Sequence, residues 1–255
     1  MSTSYQNFAY VYDKFMDNIP YEDWNKYLIQ LFQQYSVSSG NLVELGCGTG
    51  TMCLLMEKAG YQIIGVDNST DMLTIASEKV AGNPNIILLE QDMRELELDT
   101  QYDGFYCICD SLNYLLSDSD VLSTFRSIKK HLKDNGVFIF DLKTPYFYET
   151  ILGDQVFCDH QKDCSYTWEN NYFEEERINQ YDLTIFIKQP DQDLFERFNE
   201  THHQKAYSLP EIIDLLSVSG LEYVTSYDAF TSNPPSPESE RIYIIARKRN
   251  GENKQ

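Results

Sequence analysis

The sequence predicts an α/β fold: a largely parallel sheet with helices on both faces, carrying an antiparallel β insertion after the fifth strand. Three observations predict it. From Asn41 onward, short apolar runs alternate with helix-like segments. The first of these runs, "NLVELGCGTGT", stops at glycines spaced Gly46-x-Gly48-x-Gly50. After Tyr146 the texture changes to alternation at period two and holds it to about Ala206. Continuous apolar strands separated by amphipathic helices are the signature of a sheet covered on both faces.

The elements follow in order. "YEDWNKYLIQLFQQY" has apolar residues at helical spacing and predicts a helix packed on the sheet. Next come "NLVEL" with "TMCLLMEKAG", and "QIIGVD" with "STDMLTIASEKVAG", as strand–helix pairs. They are followed by the strands "NIILLEQD" and "DGFYCICD", the helix "DSDVLSTFRSIKKHLKDNG" and the strand "VFIFDL". Ser69 or Thr70 is placed to cap the second of these helices, and Gly60, Gly82 and Gly136 fall where helices should stop. "CSYTWENNYFEEE", "RINQYDLTIFIKQ" and "LFERFNETHHQKAY" read as antiparallel strands, with "QPDQD" as turn material. "SLPEIIDLLSVSG" returns to the helical period, and "LEYVTSYDAF" and "RIYIIARK" read as two strands flanking a Pro-rich loop. The expected organisation is a helical cap over 1–37, a core over 38–145 and 207–249, an insertion over 146–206 and a flexible tail over 250–255.

Composition narrows the function. The chain of 255 residues carries 40 acidic against 20 basic side chains, a net charge of -20. Such a surface repels phosphate backbones and anionic lipid, so nucleic acid is disfavoured as a partner. The cluster Arg126, Lys129, Lys130 and Lys133 at helical spacing reads as a solvated helix face. No apolar run is long enough to cross a membrane, and "MSTSYQNFAYVYDKF" shows no signal-peptide pattern. Six cysteines in a chain this long read as reduced thiols, and Cys107 and Cys109 are expected on one strand, facing the same side. No spacing suggests a metal site. These features point to a cytoplasmic protein.

The glycine loop after the first strand is the expected ligand site, because open α/β sheets bind beyond the carboxyl ends of their strands. Dinucleotide folds use such glycines for a pyrophosphate. Here Glu44 lies two residues before the first glycine. At about 5 Å and an effective dielectric near 20, a carboxylate and a phosphate repel by roughly 3 kcal/mol. Glu44 therefore selects a ligand with a cationic end. S-adenosylmethionine has one, an ammonium beside a sulfonium, and carries no phosphate. Asp67, at the end of the second strand, suits its ribose hydroxyls. Asp92, after the third, suits the adenine amine, with Met93 as an apolar wall.

These motifs resemble those of class I S-adenosylmethionine-dependent methyltransferases. "VELGCGTG" stands as that family's first motif, "VDNSTDML" as its second-strand motif and "QDMRE" as its adenine-side motif. The resemblance runs from about Ser38 to Leu142 and resumes from Ser208 to Lys248. It implies a Rossmann-like sheet of seven strands, with "RIYIIARK" as the family's antiparallel insertion into the sheet. It implies that Gly46, Cys47 and Gly48 line the methionyl part while Glu44 supports its ammonium. The implied cofactor set is completed by Asp67, Asn68, Met72, Gln91, Asp92 and Met93. Tyr12 and Tyr21, in a segment that commonly folds over the cofactor, complete the set; aromatic rings attract a sulfonium. Trp24 in the same segment reads as a hydrophobic anchor for the first helix.

The acceptor is less legible. The fourth strand delivers "CDSLNYL", so Asp110 and Tyr114 are candidate bases or orienting acceptors. His202 and His203 are adjacent, so on a strand they face opposite ways and one of them at most enters the cleft. His202 completes the candidate catalytic set. The Asn/Asp-Pro-Pro-aromatic element of nucleobase amino-methyltransferases is absent after the fourth strand, and no Pro-Cys pair is present. "VYD" near the start and the β-rich insertion are similar to the N-methyltransferases of amino-deoxysugars, and to bacterial methyltransferases of unassigned substrate. The expected reaction is in-line methyl transfer to N or O of a small-molecule acceptor, with a homodimer through the β insertion. Two alternatives stay open: an RNA or protein methyltransferase, and a non-catalytic protein that binds the cofactor and docks a partner.

Overall fold

The computed structural model describes residues 12–13, 19–189 and 193–248. Tyr10, an aromatic residue that precedes Tyr12 in the N-terminal segment, and the 250–255 tail lie outside the described residues. Helix α1 (Tyr21–Gln34) leads into strand β1 (Gly40–Leu45), helix α2 (Thr51–Lys58), strand β2 (Tyr61–Asp67), helix α3 (Thr70–Lys79) and strand β3 (Ile86–Glu90). Strand β4 (Tyr102–Cys107), helix α4 (Asp118–His131) and strand β5 (Leu132–Lys143) follow. A turn of π-helix at Phe147–Leu152 leads to strands β6 (Val156–His160), β7 (Cys164–Phe173), β8 (Ile178–Lys188) and β9 (Phe195–Lys205). Helix α5 (Leu209–Ser219) and strands β10 (Leu221–Asp228) and β11 (Arg241–Lys248) return to the core.

The seven-stranded sheet has the order β10-β11-β5-β4-β1-β2-β3. β1 to β5 pair in parallel, and β11 lies antiparallel between β5 and β10. The winding therefore reverses between β1 and β4, and this switch point is where an open sheet leaves a crevice. β6 to β9 form a separate antiparallel sheet. The expected α/β sheet and the antiparallel insertion are both present.

Alternation along β5 explains the two-sided core. Phe138, Phe140 and Leu142 join α4 and α5 on one face, while Val137 and Ile139 join α1 and α2 on the other. All five are fully buried, and each such side chain contributes about 1.5–3 kcal/mol through burial. Trp24 is the anchor expected of it: it is buried, stacks on Phe230 at 5.5 Å and carries the Arg241 guanidinium over its ring.

Three local expectations need correction. β4 ends at Cys107, and Cys109 and Asp110 both turn into the left-handed region at φ 59° and 55°, so Cys107 and Cys109 do not share a strand face. Gly136 lies inside β5 and not at a helix end. Strand β6 was not read from the sequence; it is short and pairs with β7 alone. Ser69, by contrast, caps α3 as expected, its Oγ accepting from the Met72 N–H.

Candidate active site

A cavity of about 370 Å³ opens at the carboxyl ends of β1 to β4. Every residue assigned from the sequence to the cofactor lines it, from Tyr12 and Tyr21 through the glycine loop to Met93. Of the catalytic candidates, Tyr114 lines it, whereas Asp110 and His202 do not. Ser111, which the sequence set beside Asp110 and Tyr114 after the fourth strand, also lines it, as do Thr49, Arg94 and Asp120, which were not singled out by sequence. Thr49 sits on the glycine loop, Arg94 and Ser111 in short 3-10 turns and Asp120 in the first turn of α4, and only the fold brings them together.

The glycine loop is shaped for backbone approach. Gly46 has φ 68°, and a Cβ there would meet Ser111 Oγ at 2.6 Å. Gly48 has φ 52° and open space where its Cβ would be, so a ligand can come against the bare backbone. Over this loop, Asp13 accepts from Thr49 Oγ1 at 2.7 Å and from Lys79 Nζ at 2.7 Å. That contact ties the Tyr12–Asp13 turn across the cavity mouth.

Glu44 is buried, with 3% of its surface exposed. Tyr106 Oη and Cys53 Sγ both donate to its Oε2 at 2.9 Å. Burial pushes its carboxyl up to about 7 in spite of those two donors. Asp67 receives the Gly48 N–H on Oδ2 at 2.8 Å and the Ser69 N–H on Oδ1 at 2.9 Å. Burial raises its pKa as well, against these backbone donors.

Asp92 is more heavily engaged than the sequence suggested. Arg94 donates to both of its oxygens, through Nε at 2.9 and 3.0 Å and through Nη2 at 2.5 Å. The guanidinium holds the Asp92 carboxyl below its usual range, and it also reaches Asp120 at 3.2 Å. An exocyclic amine at this end must share those oxygens with Arg94.

Asp110 lies outside the cavity lining and is held by cations. Its Oδ1 accepts from Arg241 Nη2 at 2.8 Å, its Oδ2 from Gln204 Nε2 at 2.7 Å, and Lys143 Nζ lies 3.2 Å away. Burial pushes its pKa up, but Lys143 and Arg241 outweigh that and hold it low. The same Arg241 donates to Asp141 at 2.5 Å, while Asp141 accepts the backbone N–H groups of Cys109 and Asp110 at 3.1 and 2.8 Å. Asp110 and Asp141 thus fasten the strained turn that follows β4.

The antiparallel sheet is bolted to that turn. Asn113 Nδ2 donates to the carbonyls of Lys205 and Lys143 at 2.9 and 3.2 Å, and Tyr148 Oη donates to Gln204 Oε1 at 3.0 Å. His202 faces inward from β9 and is 1% exposed, whereas His203 faces out. The His202 ring stacks on Tyr181 at 4.7 Å, and the Tyr114 and Tyr181 hydroxyls are hydrogen-bonded.

The acids fit an adenosylated amino acid: a buried carboxyl beside a bare glycine backbone, then a second acid at the next strand end, then an apolar end at Met93. Among the described residues, no group of three or more His, Cys, Asp and Glu side chains is arranged to hold a metal.

Comparison with known proteins gives a consistent picture. Residues 42–136 match a family model described as a methyltransferase domain. The chain is 34% identical over 245 residues to "Putative methyltransferase YqeM" of Bacillus subtilis (strain 168), covering 96% of this chain and 97% of that protein. It is 25% identical over 114 residues to the dTDP-3-amino-3,6-dideoxy-alpha-D-glucopyranose N,N-dimethyltransferase of Streptomyces fradiae, covering 45% of this chain and 44% of that one. The crystal structure of a S-adenosylmethionine-dependent methyltransferase from Clostridium acetobutylicum ATCC 824 superposes with a TM-score of 0.85 at 26% identity, covering 96% of this chain and 99% of that one.

Proposed function

The chain belongs to the S-adenosylmethionine-dependent methyltransferases, and from that premise we propose that it methylates N or O of a small, neutral or cationic acceptor. The observation that carries the acceptor's charge is the cavity wall. Glu44, Asp67, Asp92 and Asp120 line it, and the guanidinium of Arg94, which also lines it, is committed to Asp92 and Asp120. A phosphorylated acceptor finds no spare cation among these described groups. The net charge of -20 works in the same direction.

Bound S-adenosylmethionine supplies an electrophilic methyl on a sulfonium. The chain's task is then alignment and exclusion of water. In this proposal Glu44 and the Gly46–Gly48 backbone hold the methionyl end, and Asp67 accepts the ribose hydroxyls. Gln91, Asp92 and Met93 bound the adenine, with Asn68 and Met72 beside it. Tyr12 and Tyr21 cover the site from the N-terminal segment. The 146–206 insertion closes the acceptor side.

The experiment is incubation with methyl-tritiated S-adenosylmethionine and three separate pools: low-molecular-weight metabolites, RNA and protein. Label in the metabolite pool is the expected outcome. Label in RNA or protein would replace the acceptor assignment, and binding of the cofactor without transfer to any pool would point to a docking protein. The proposed compartment is the cytoplasm, supported by six cysteines that are all free thiols. No helix among the described residues is long and apolar enough to cross a membrane. A homodimer through the insertion is proposed on the exposed Val156, Phe173 and Phe195 of its sheet, and sedimentation equilibrium tests it.

A further inference from the structure

We propose that Tyr114 takes the proton from the acceptor and that His202, backed by Glu200, is the relay that receives it. The proposal rests on the methyl-transfer reading above and goes further, by naming the acceptor as a group that carries a removable N–H or O–H proton.

The geometry runs in one line from the cavity into the insertion. Tyr114 lines the cavity, and its hydroxyl lies 3.4 Å from His202 Nδ1. His202 Nε2 lies 3.2 Å from Glu200 Oε2. Strand periodicity supplies the arrangement: Glu200, His202 and Gln204 are all buried on one face of β9, while Thr201 and His203 face out. Glu200 and His202 have 3% and 0% of their side chains exposed.

In this proposal Glu200 acts as the acceptor, and the imidazole carries its proton on Nε2, 3.2 Å from Glu200 Oε2. Nδ1 is then an acceptor facing the phenol of Tyr114. Tyr181 holds both partners, its ring stacked on the imidazole at an interplanar angle of 10° and its hydroxyl bonded to that of Tyr114. Among the described residues, Tyr114 from the turn after β4, Tyr181 from β8 and Glu200 from β9 itself face His202. The separation of 3.4 Å is long for a hydrogen bond, as catalytic contacts often are before the substrate closes the site.

A buried acid–imidazole pair is costly to desolvate, and an apolar pair of similar size would hold the sheet at least as well. Here the pair continues to a cavity-lining hydroxyl. The proton balance is complete. The acceptor's N–H or O–H proton passes to Tyr114 Oη, whose own proton passes to His202 Nδ1, leaving an imidazolium beside the Glu200 carboxylate. The acceptor keeps its lone pair for the new bond to carbon. Tyr114 is the catalytic residue in this scheme, and His202 and Glu200 act through it as positioning residues.

Two measurements test the relay. Long-range proton–nitrogen spectra of histidine-labelled protein, with His202 assigned from His202→Gln, should show a proton on Nε2 and an unprotonated Nδ1. A proton on Nδ1 in the resting state would overturn the relay, whatever the acceptor. The second is label transfer from tritiated S-adenosylmethionine to the metabolite pool as a function of pH. Tyr114→Phe should lower transfer by about 100-fold or more, the usual worth of a positioned base, with cofactor affinity by calorimetry unchanged within about twofold. Glu200→Gln should lower transfer about tenfold and shift the His202 tautomer signals away from Nε2–H, because the imidazole loses the carboxylate that accepts that proton. Transfer unchanged in both variants and tautomer signals unmoved in Glu200→Gln would refute the relay while leaving the transferase reading intact. Wild-type protein that transfers to no pool, with the Nε2 tautomer observed, would refute the transferase reading and with it the relay's catalytic role.

Discussion

Gly48 donates its backbone N–H to Asp67 Oδ2 at 2.8 Å, so the glycine loop after β1 and the acid that ends β2 form one unit. The carboxylate is a brace for the loop before it is a ligand for anything else. Asp67→Asn is therefore expected to act twice. Losing a charge-assisted bond costs about 2 kcal/mol, so affinity for S-adenosylhomocysteine should fall roughly thirtyfold by calorimetry. The melting temperature should fall as well. Unchanged affinity in a folded variant would remove Asp67 from the cofactor site.

The two glycines of the loop separate folding from binding. Gly46→Ala drives a Cβ to 2.6 Å from Ser111 Oγ and should destabilise the fold. Gly48→Ala meets nothing within 4 Å and carries only the left-handed strain at φ 52°, about 1–2 kcal/mol. Its Cβ instead fills space at the cavity wall. Gly48→Ala should thus melt only about 2–8 °C below wild type, less than Gly46→Ala, while losing at least tenfold in cofactor affinity. Wild-type affinity in that variant would show that no ligand approaches the Gly48 backbone.

Glu44 predicts a pH dependence of binding. Its carboxyl is raised to about 7 by burial, so it is protonated below that pH and charged above it. An ammonium is held by the charged form. Affinity should therefore rise with pH through the region of 7, and binding at pH 6 should release a proton. Calorimetry in buffers of different ionisation enthalpy reads that proton directly. Glu44→Gln should abolish the release and flatten the profile; release that persists in the variant would assign it elsewhere.

Arg241 predicts stability. It pairs with Asp110 and with the fully buried Asp141, and Arg241→Met leaves Asp141 without a cation and Asp110 with Lys143 alone. Breaking such a network costs about 3–5 kcal/mol, measurable by urea denaturation. The double variant Arg241→Met, Asp110→Asn should recover part of that loss. No recovery would mean that the guanidinium stabilises chiefly through its place over the Trp24 ring.

Much of the scaffold was legible. The alternation of apolar runs and helical segments gave β1 to β5 and their helices, since an apolar strand between amphipathic helices has one stable solution. β6 was missed because it is short and its pattern signals no more than an edge. The end of β4 was misplaced because "YCICD" stays apolar past Cys107, while the left-handed turn at Cys109 and Asp110 is imposed by Asp141, which lies on β5.

By itself the sequence determined which side of each element a residue occupies. Local periodicity set the glycine loop and the acids at three strand ends around one cavity, and it set His202 and His203 on opposite faces of one strand. Tertiary structure alone decided what those side chains do. Asp110 is neutralised by Arg241, 131 positions away, and Tyr114 meets His202 across 88 positions. Glu44 is raised because the packed core closes water out, in spite of the hydrogen bond it accepts from Tyr106, 62 positions on. A side chain's charge state and role depend on desolvation and on distant partners, and neither exists until the chain has packed.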